Sequence, residues 1–280
     1  MRRIGTDTGT DPSSEEEERA VSEAISYVLV FGLIIVGTTL VVFQAGPALE
    51  SSEERQIAEN SERAMLLVQG TVNEMVRRDA PRRENTVDVQ DLTVGVGGTE
   101  PTRILIQAES SLDGSVTVAD VETVPVYIET TVSTVDQTVA YENGAVVAGP
   151  SDSPDRWTMT STPAWAIRTE DGEARSVFLR TVSTTGDSSV TGQATRARLV
   201  FENEGTSTER VNDMTELNIT VESPRSGAWE SYFQRLSGGV NGTDIDTDDG
   251  TVTLTIDEFE DGEGSLSHRT QAVRTEVSSR

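Results

Sequence analysis

The chain contains no cysteine, no lysine and only one histidine. Without cysteine there are no disulfides, thiolate metal sites or cysteine nucleophiles, and the redox compartment leaves no mark. A lone histidine, His268, set in a polar C-terminal stretch, is almost no raw material for a hydrolase triad or a histidine zinc site. The expectation is therefore a non-enzyme with no cofactor and no small-molecule substrate. All 22 basic residues are arginine, against 48 acidic ones, and the net charge is −26. The acids are spread along the chain and do not form one block, which favours a whole-surface adaptation to high salt over an acidic binding tail. In molar salt the Debye length falls to ~3 Å, so the self-repulsion of such a surface is screened. No basic stripe stands out to neutralise phosphates, so nucleic acid is not an expected partner.

The longest stretch without charge runs from Ala24 to Leu49, 26 residues between Glu23 and Glu50. At about 1.5 Å rise per helical residue it reaches roughly 39 Å, more than a ~30 Å hydrocarbon core. Residues 1–20 before it are polar and read as a disordered leader. Arg2 and Arg3 lie too far from the apolar segment for a twin-arginine signal. Arg2, Arg3 and Arg19 precede the run and the next basic residue is Arg55, so the basic-residue bias places the N-terminus in the cytoplasm and the rest outside, in a single pass. After Pro47 the pattern turns amphipathic: Met65, Val68, Val72 and Met75 share one face with Ile57 and Ala64, and Pro81 stops the helix near Asp79.

From Thr86 onward the chain reads as short strands punctuated by turns. Strands are expected at Leu92–Val96, Arg103–Ala108, Ser115–Val121, Val124–Val132, Thr138–Glu142 and Ala145–Ala148, then at Ser176–Thr181, Ala194–Glu202, Glu216–Glu222 and Thr251–Asp257. Asn143-Gly144 between two apolar runs predicts a tight hairpin, because both residues tolerate positive φ. After Pro224, Trp229, Tyr232, Phe233 and Leu236 fall at helical spacing and predict one helix covering a sheet edge. The expected fold is α+β: a long N-terminal helix, membrane-spanning and then amphipathic, followed by an antiparallel β-sandwich-like domain. The expected divisions are a cleavable leader 1–20, a transmembrane and assembly helix 21–46, an amphipathic extension 47–80, an exterior β-rich domain 86–259 and a flexible tail 260–280.

Three further patterns carry chemistry. Asn218-Ile219-Thr220 and Asn241-Gly242-Thr243 are glycosylation sequons, of which Asn241, in a glycine-rich loop, is the better candidate. Asp244, Asp246 and Asp248 imitate the start of a calcium loop, but Asp249 replaces the sixth-position glycine and Thr255 the twelfth-position carboxylate. A solvated acidic hairpin turn at Asp249-Gly250 is the preferred reading, and calcium the weaker one. The third pattern is Arg19-Ala20-Val21-Ser22-Glu23: a charged residue, a small residue and then the apolar run, so that any small-residue cleavage site precedes the helix instead of following it.

That junction resembles the class III signals of archaeal pilins, archaellins and related surface proteins. The resemblance implies a prepilin peptidase cutting between Ala20 and Val21, with Arg19 at −2 and Ser22 at +2. The helix stays on the mature chain, to meet membrane lipid, pilin-like subunits or their assembly machinery. Bacterial pilins hold a glutamate at the fifth mature position; here Ile25 stands there, and Glu23 is third. A carboxylate in an apolar core is costly alone, so Glu23 is expected to pair with a Val21 amine during assembly. The segments Tyr141–Val147, Thr185-Gly186-Asp187 and Ser223-Pro224-Arg225 with Trp229 and Phe233 resemble a group of haloarchaeal pilin-like proteins. The function implied is a structural and adhesive pilin-like or minor pilin subunit of a surface filament. A single-pass membrane-anchored surface binding protein that never polymerises is the alternative function, and an uncleaved signal anchor is the rival reading of the junction.

Overall fold

A computed structural model describes residues 12–89, 92–98, 100–130, 137–151, 153–192, 196–259 and 264–279, the side chains of 12–24, 41–54 and 154 excepted. The chain divides into two compact units, 1–55 and 56–280. In the first, helix α1 (Pro12–Arg78) begins. Between Ile25 and Leu40 its large apolar side chains are exposed within this single chain. Among the described residues no helix is long and apolar enough to cross a membrane; only 16 residues of the uncharged run, 25–40, have described side chains.

The second unit is mostly β. Its strands are β1 (Arg82–Asp88), β2 (Leu92–Val96), β3 (Thr102–Ser110), β4 (Gly114–Thr123), β5 (Val126–Thr130), β6 (Thr138–Glu142), β7 (Ala145–Gly149) and β8 (Thr158–Ser161). They continue with β9 (Ala166–Glu170), β10 (Glu173–Thr185), β11 (Ser188–Thr191), β12 (Arg196–Glu222), β13 (Thr243–Asp248), β14 (Thr251–Ile256) and β15 (Gly264–Ser279). A second helix, α2 (Ser226–Leu236), follows β12, and a single 3-10 turn occupies Pro154–Arg156. The larger sheet runs β13-β14-β12-β15-β10-β9, with β1 and β3 on the other side of β12 and β4 beyond β3. The smaller runs β11-β2-β5-β6-β7-β8. Among the described strands the paired neighbours are antiparallel except β10 and β15, which run parallel.

The C-terminal part of α1 packs where the sequence pattern places it. Met65, Val68, Val72 and Met75 are fully buried and share a core with β2, β5 and β6 of the small sheet and β10, β12 and β15 of the large one. Gln69, on the same face, donates from Nε2 to the carbonyl of Gly144, 2.8 Å away. The helix ends at Arg78; Asp79 takes φ 50°, and the Ala80 amide closes onto the Met75 carbonyl. The β6–β7 hairpin forms as expected, with Asn143 at φ 50° and Gly144 at φ 85°. Every residue of both strands is buried. Val139, Tyr141 and Val146 face the helix-side core, whereas Ala140 and Val147 face Trp157 and Ala228, so neither face meets water.

Two expectations are corrected. The two separate strands expected at Ala194–Glu202 and Glu216–Glu222 are, over the described residues 196–222, one 27-residue strand, β12, whose middle, residues 204–210, is exposed. The flexible tail expected at 260–280 is, over 264–279, strand β15, paired with β12 on one side and β10 on the other. Its inward positions include His268, Gln271 and Thr275 beside Leu266, Val273 and Val277. Those polar residues hide the period-two signal, and local partners make their burial tolerable. Gln271 donates to the Asn203 side chain and the Gly205 carbonyl and accepts from Thr206.

His268 is thus a buried residue, with Nε2 3.0 Å from Thr181 Oγ1. Burial lowers its pKa from 6.5 to about 4. The unfolded chain takes up this proton near pH 6.5 and the folded chain only near pH 4, so the stabilising contribution is complete above 6.5 and is lost as pH falls towards 4. Urea midpoints measured across that window should fall less steeply for His268→Gln than for the unsubstituted chain; parallel curves would refute the assignment.

Candidate functional site

The most built polar site lies where the two sheets meet through α2. Glu142, the last residue of β6, is fully buried, and four donors from the other sheet and its helix converge on its carboxylate. Arg225 Nε donates to Oε2 at 2.6 Å, and Thr102 Oγ1 donates to the same oxygen at 2.7 Å. Trp229 Nε1 donates to Oε1 at 2.7 Å, with Ser223 Oγ at 3.4 Å. Arg225, itself 4 % exposed, also donates from Nη2 to the Glu100 carbonyl and stands 5.6 Å over the Trp157 ring. Ser223 Oγ accepts the Arg225 amide and lies 3.0 Å from Thr102 Oγ1, so the hydroxyls are used twice. Such a network is satisfied on every side, which a buried ion pair needs if it is not to destabilise the fold.

Local sequence explains the arrangement. Pro224 interrupts the chain after β12 and α2 begins two residues on, which carries Arg225 and Trp229 back over the end of β6. Trp229 is locked in turn by an aromatic cluster: its ring centroid lies 5.6 Å from Trp165, 6.1 Å from Tyr232 and 6.3 Å from Phe233. The predicted stripe of α2 is therefore core, with Leu236 partly buried beside it. The helix packs on β8, β12, β13, β14 and the 3-10 turn.

A cleft of about 290 Å³ opens beside Arg225, bordered by Trp157, Tyr127, Glu100, Glu129 and Pro224. Burial and the Glu129 charge raise the pKa of the Tyr127 phenol. Two carboxylates, a guanidinium and two aromatic faces can bind a polar ligand.

The sequence-predicted sites fare differently. The side chains of Arg19, Ala20, Val21, Ser22 and Glu23 lie outside the described residues. Asn241 is exposed, and its amide N–H holds the Gly172 carbonyl at 2.7 Å. Asn218 lies in the interior of the large sheet between β3 and β14; its Nδ2 donates to Glu216 and its Oδ1 accepts from Thr255. A glycan on Nδ2 there would compete with the bond to Glu216, whereas Asn241 stands exposed.

The calcium reading is overturned. Asp244, Asp246 and Asp248 stand on strand β13, paired with β14 through an Asp249-Gly250 turn. Alternate strand residues point the same way about 6.8 Å apart, whereas one calcium ion needs oxygens at 2.3–2.6 Å, so the three cannot converge. Among the described residues no cluster of acids or histidine could hold a metal ion.

Glu142 and Arg225 were visible in the sequence only as parts of the two segments Tyr141–Val147 and Ser223–Phe233. The structure brings these segments together at one carboxylate. The third segment, Thr185-Gly186-Asp187, lies instead against β2 and β15, where Gly186 takes φ 152°.

Residues 19–278 match a family described as "Family of unknown function (DUF7289)", and the chain belongs to it. No curated protein matches the chain, and no solved structure does. The matched region begins at Arg19, so the family includes the junction, the uncharged run and the β unit together.

Proposed function

We propose that this chain is a type IV pilin-like surface subunit of a haloarchaeon, delivered by a prepilin peptidase, with its β unit outside the cell in a structural and adhesive role. The observation that carries the reading is the order of parts: charged leader, Ala20–Val21, uncharged run, amphipathic helix, β unit. The helix reading is one of a single element, apolar and membrane-embedded over 21–46, then amphipathic over 47–80. Its first part suits lipid or a bundle of like helices, since the apolar side chains from Ile25 to Leu40 are exposed within one chain. Thr38 and Thr39 return their hydroxyls to the Ile34 and Ile35 carbonyls at 2.7 and 2.8 Å, leaving neither unpaired in an apolar setting. Burial of Met65, Val68, Val72 and Met75 against the β unit suits a subunit in which the helix carries an exterior domain.

The test is the mature N-terminus. Mass spectrometry of the protein from its host should give a chain beginning at Val21, and Ala20→Asp should leave residues 1–20 attached. A native chain that keeps its leader sinks the proposal. Electron microscopy of sheared surface material then separates a filament subunit from a stand-alone anchored binding protein.

A further inference from the structure

Several arginines in the β unit are paired with acids: Arg103 with Asp120 at 2.7 Å, Arg82 with Glu202 at 3.4 Å, Arg274 with Glu204 at 2.5 Å. One face of the large sheet instead gathers unpaired arginines side by side. Arg180 on β10 and Arg269 on β15 are register partners, and Thr208 on β12 is the next residue across. Arg210 pairs with Ser267, which pairs with Phe178. These residues line a groove of about 360 Å³ that contains three arginines and no carboxylate. Among the described residues Arg180, Arg210 and Arg269 form no ion pair, and Arg269 Nε is buried without a hydrogen-bond partner. At the rim, Arg168 stands 4.9 Å over the Phe178 ring and holds this exposed aromatic in place.

In a chain with 48 acids and 22 arginines, three adjacent guanidinia without an acid form a local inversion of charge. Strand alternation produces it: Glu209 precedes Arg210 and so points to the opposite face, where it lies across from His268. Each guanidinium offers a planar fork that matches a carboxylate or sulfate bidentately, and such short contacts survive salt that screens the long-range field.

We propose that this groove binds an acidic saccharide, its carboxylate or sulfate group held by Arg180, Arg210 and Arg269. Thr208 and Ser267 supply hydroxyls suited to a sugar's own, and the flat Phe178 ring supplies a surface for the apolar face of a pyranose. The groove volume falls within the range of small-ligand sites, about 300–1,000 Å³. A groove of about 360 Å³ with three guanidinia has room for a short or terminal acidic sugar, not for the row of phosphates along a nucleic acid. The ligand deepens the surface role proposed above and rests on it only for where such sugars are met. Loss of processing at Val21 would overturn that role without touching the groove.

Calorimetric titration of the full chain in detergent, at fixed high salt, tests the proposal with four probes: trigalacturonate, glucosamine 6-sulfate, neutral maltotriose and free sodium sulfate. Both acidic sugars should bind at least tenfold more tightly than maltotriose and than sulfate. Arg180→Gln/Arg269→Gln should weaken them tenfold or more without moving the urea midpoint. Phe178→Ser should weaken the sugars while leaving sulfate unchanged. Equal binding of maltotriose, or no binding of any probe, overturns the proposal. Sulfate binding as tightly as the sugars would leave a bare oxyanion site and overturns the saccharide. A change in sedimentation of the double variant with sugar binding intact would assign the groove to a second copy of this chain and overturns it too.

Discussion

Replacing Glu142 by alanine should lower the folding stability of the β unit by about 3–5 kcal/mol, the usual cost of stranding one partner of a buried ion pair. The carboxylate is the acceptor for donors on three elements, and its removal leaves the Arg225 guanidinium buried at 4 % exposure without its counter-charge. Trp229 Nε1 loses its acceptor in the same step. Glu142→Gln keeps the shape but offers one acceptor oxygen in place of two, and its amide hydrogens meet Arg225 or Trp229 donors head-on, so it should recover little. Pairing Glu142→Gln with Arg225→Met removes the stranded charge and should regain part of the loss. Denaturant midpoints measure all three, and the Glu142→Ala shift should persist from low to molar salt because the pair is buried. The exposed Arg103–Asp120 pair provides the contrast: breaking it should cost no more than about 1 kcal/mol and depend on salt. A Glu142→Ala shift as small as that would show that the cluster does not brace the sheets.

The same cluster shows where the sequence stops being readable. The β6–β7 hairpin could be read because its signal is local: Asn143 and Gly144 are two of the few residue types that accept positive φ, and apolar runs flank them. The Met65–Met75 stripe could be read for the same reason, since a 3.6 period over three turns has one interpretation. Glu142 was legible only as a strand residue, because the donors that justify its burial come from 40 residues upstream and 81 to 87 residues downstream. Strand β15 was lost because histidine, glutamine and threonine occupy inward positions, so its pattern reads as polar throughout. The β10–β15 parallel pairing joins segments about ninety positions apart and carries no turn to announce it. The arginine groove escaped for a related reason: Arg180, Arg210 and Arg269 are scattered in sequence, and only the register of three strands places them side by side. The absence of a basic stretch in the chain therefore excluded a linear polybasic segment, not a basic site.

Gly186→Ala should be the most damaging single methyl in the chain, with a loss above about 4 kcal/mol or no folded product at all. Gly186 follows β10 at φ 152°, in backbone space that L-residues rarely enter. A Cβ there would fall on the carbonyl oxygen of Thr275 and reach Val96 Cγ1 at 2.9 Å. Thr275 belongs to β15 and Val96 to β2, so the glycine is a three-way contact between the strand that leaves it and one strand of each sheet. The obstacle is main chain, which no rotamer change can move aside; β15 would have to part from β10 along a ten-residue register. The neighbouring turn is equally tight, because a Cβ on Gly97 would meet the Gly186 carbonyl at 2.8 Å. Gly205 supplies the control. It has a similar φ of 146°, but nothing lies within 4 Å of its Cβ position, so Gly205→Ala carries backbone strain alone, about 1–3 kcal/mol. Comparing the two variants by denaturant midpoint separates strain from steric exclusion: a large loss at Gly186 and a modest one at Gly205 assign the difference to the Thr275 carbonyl. Equal losses would mean that φ alone sets the cost and that the β10–β15 seam yields.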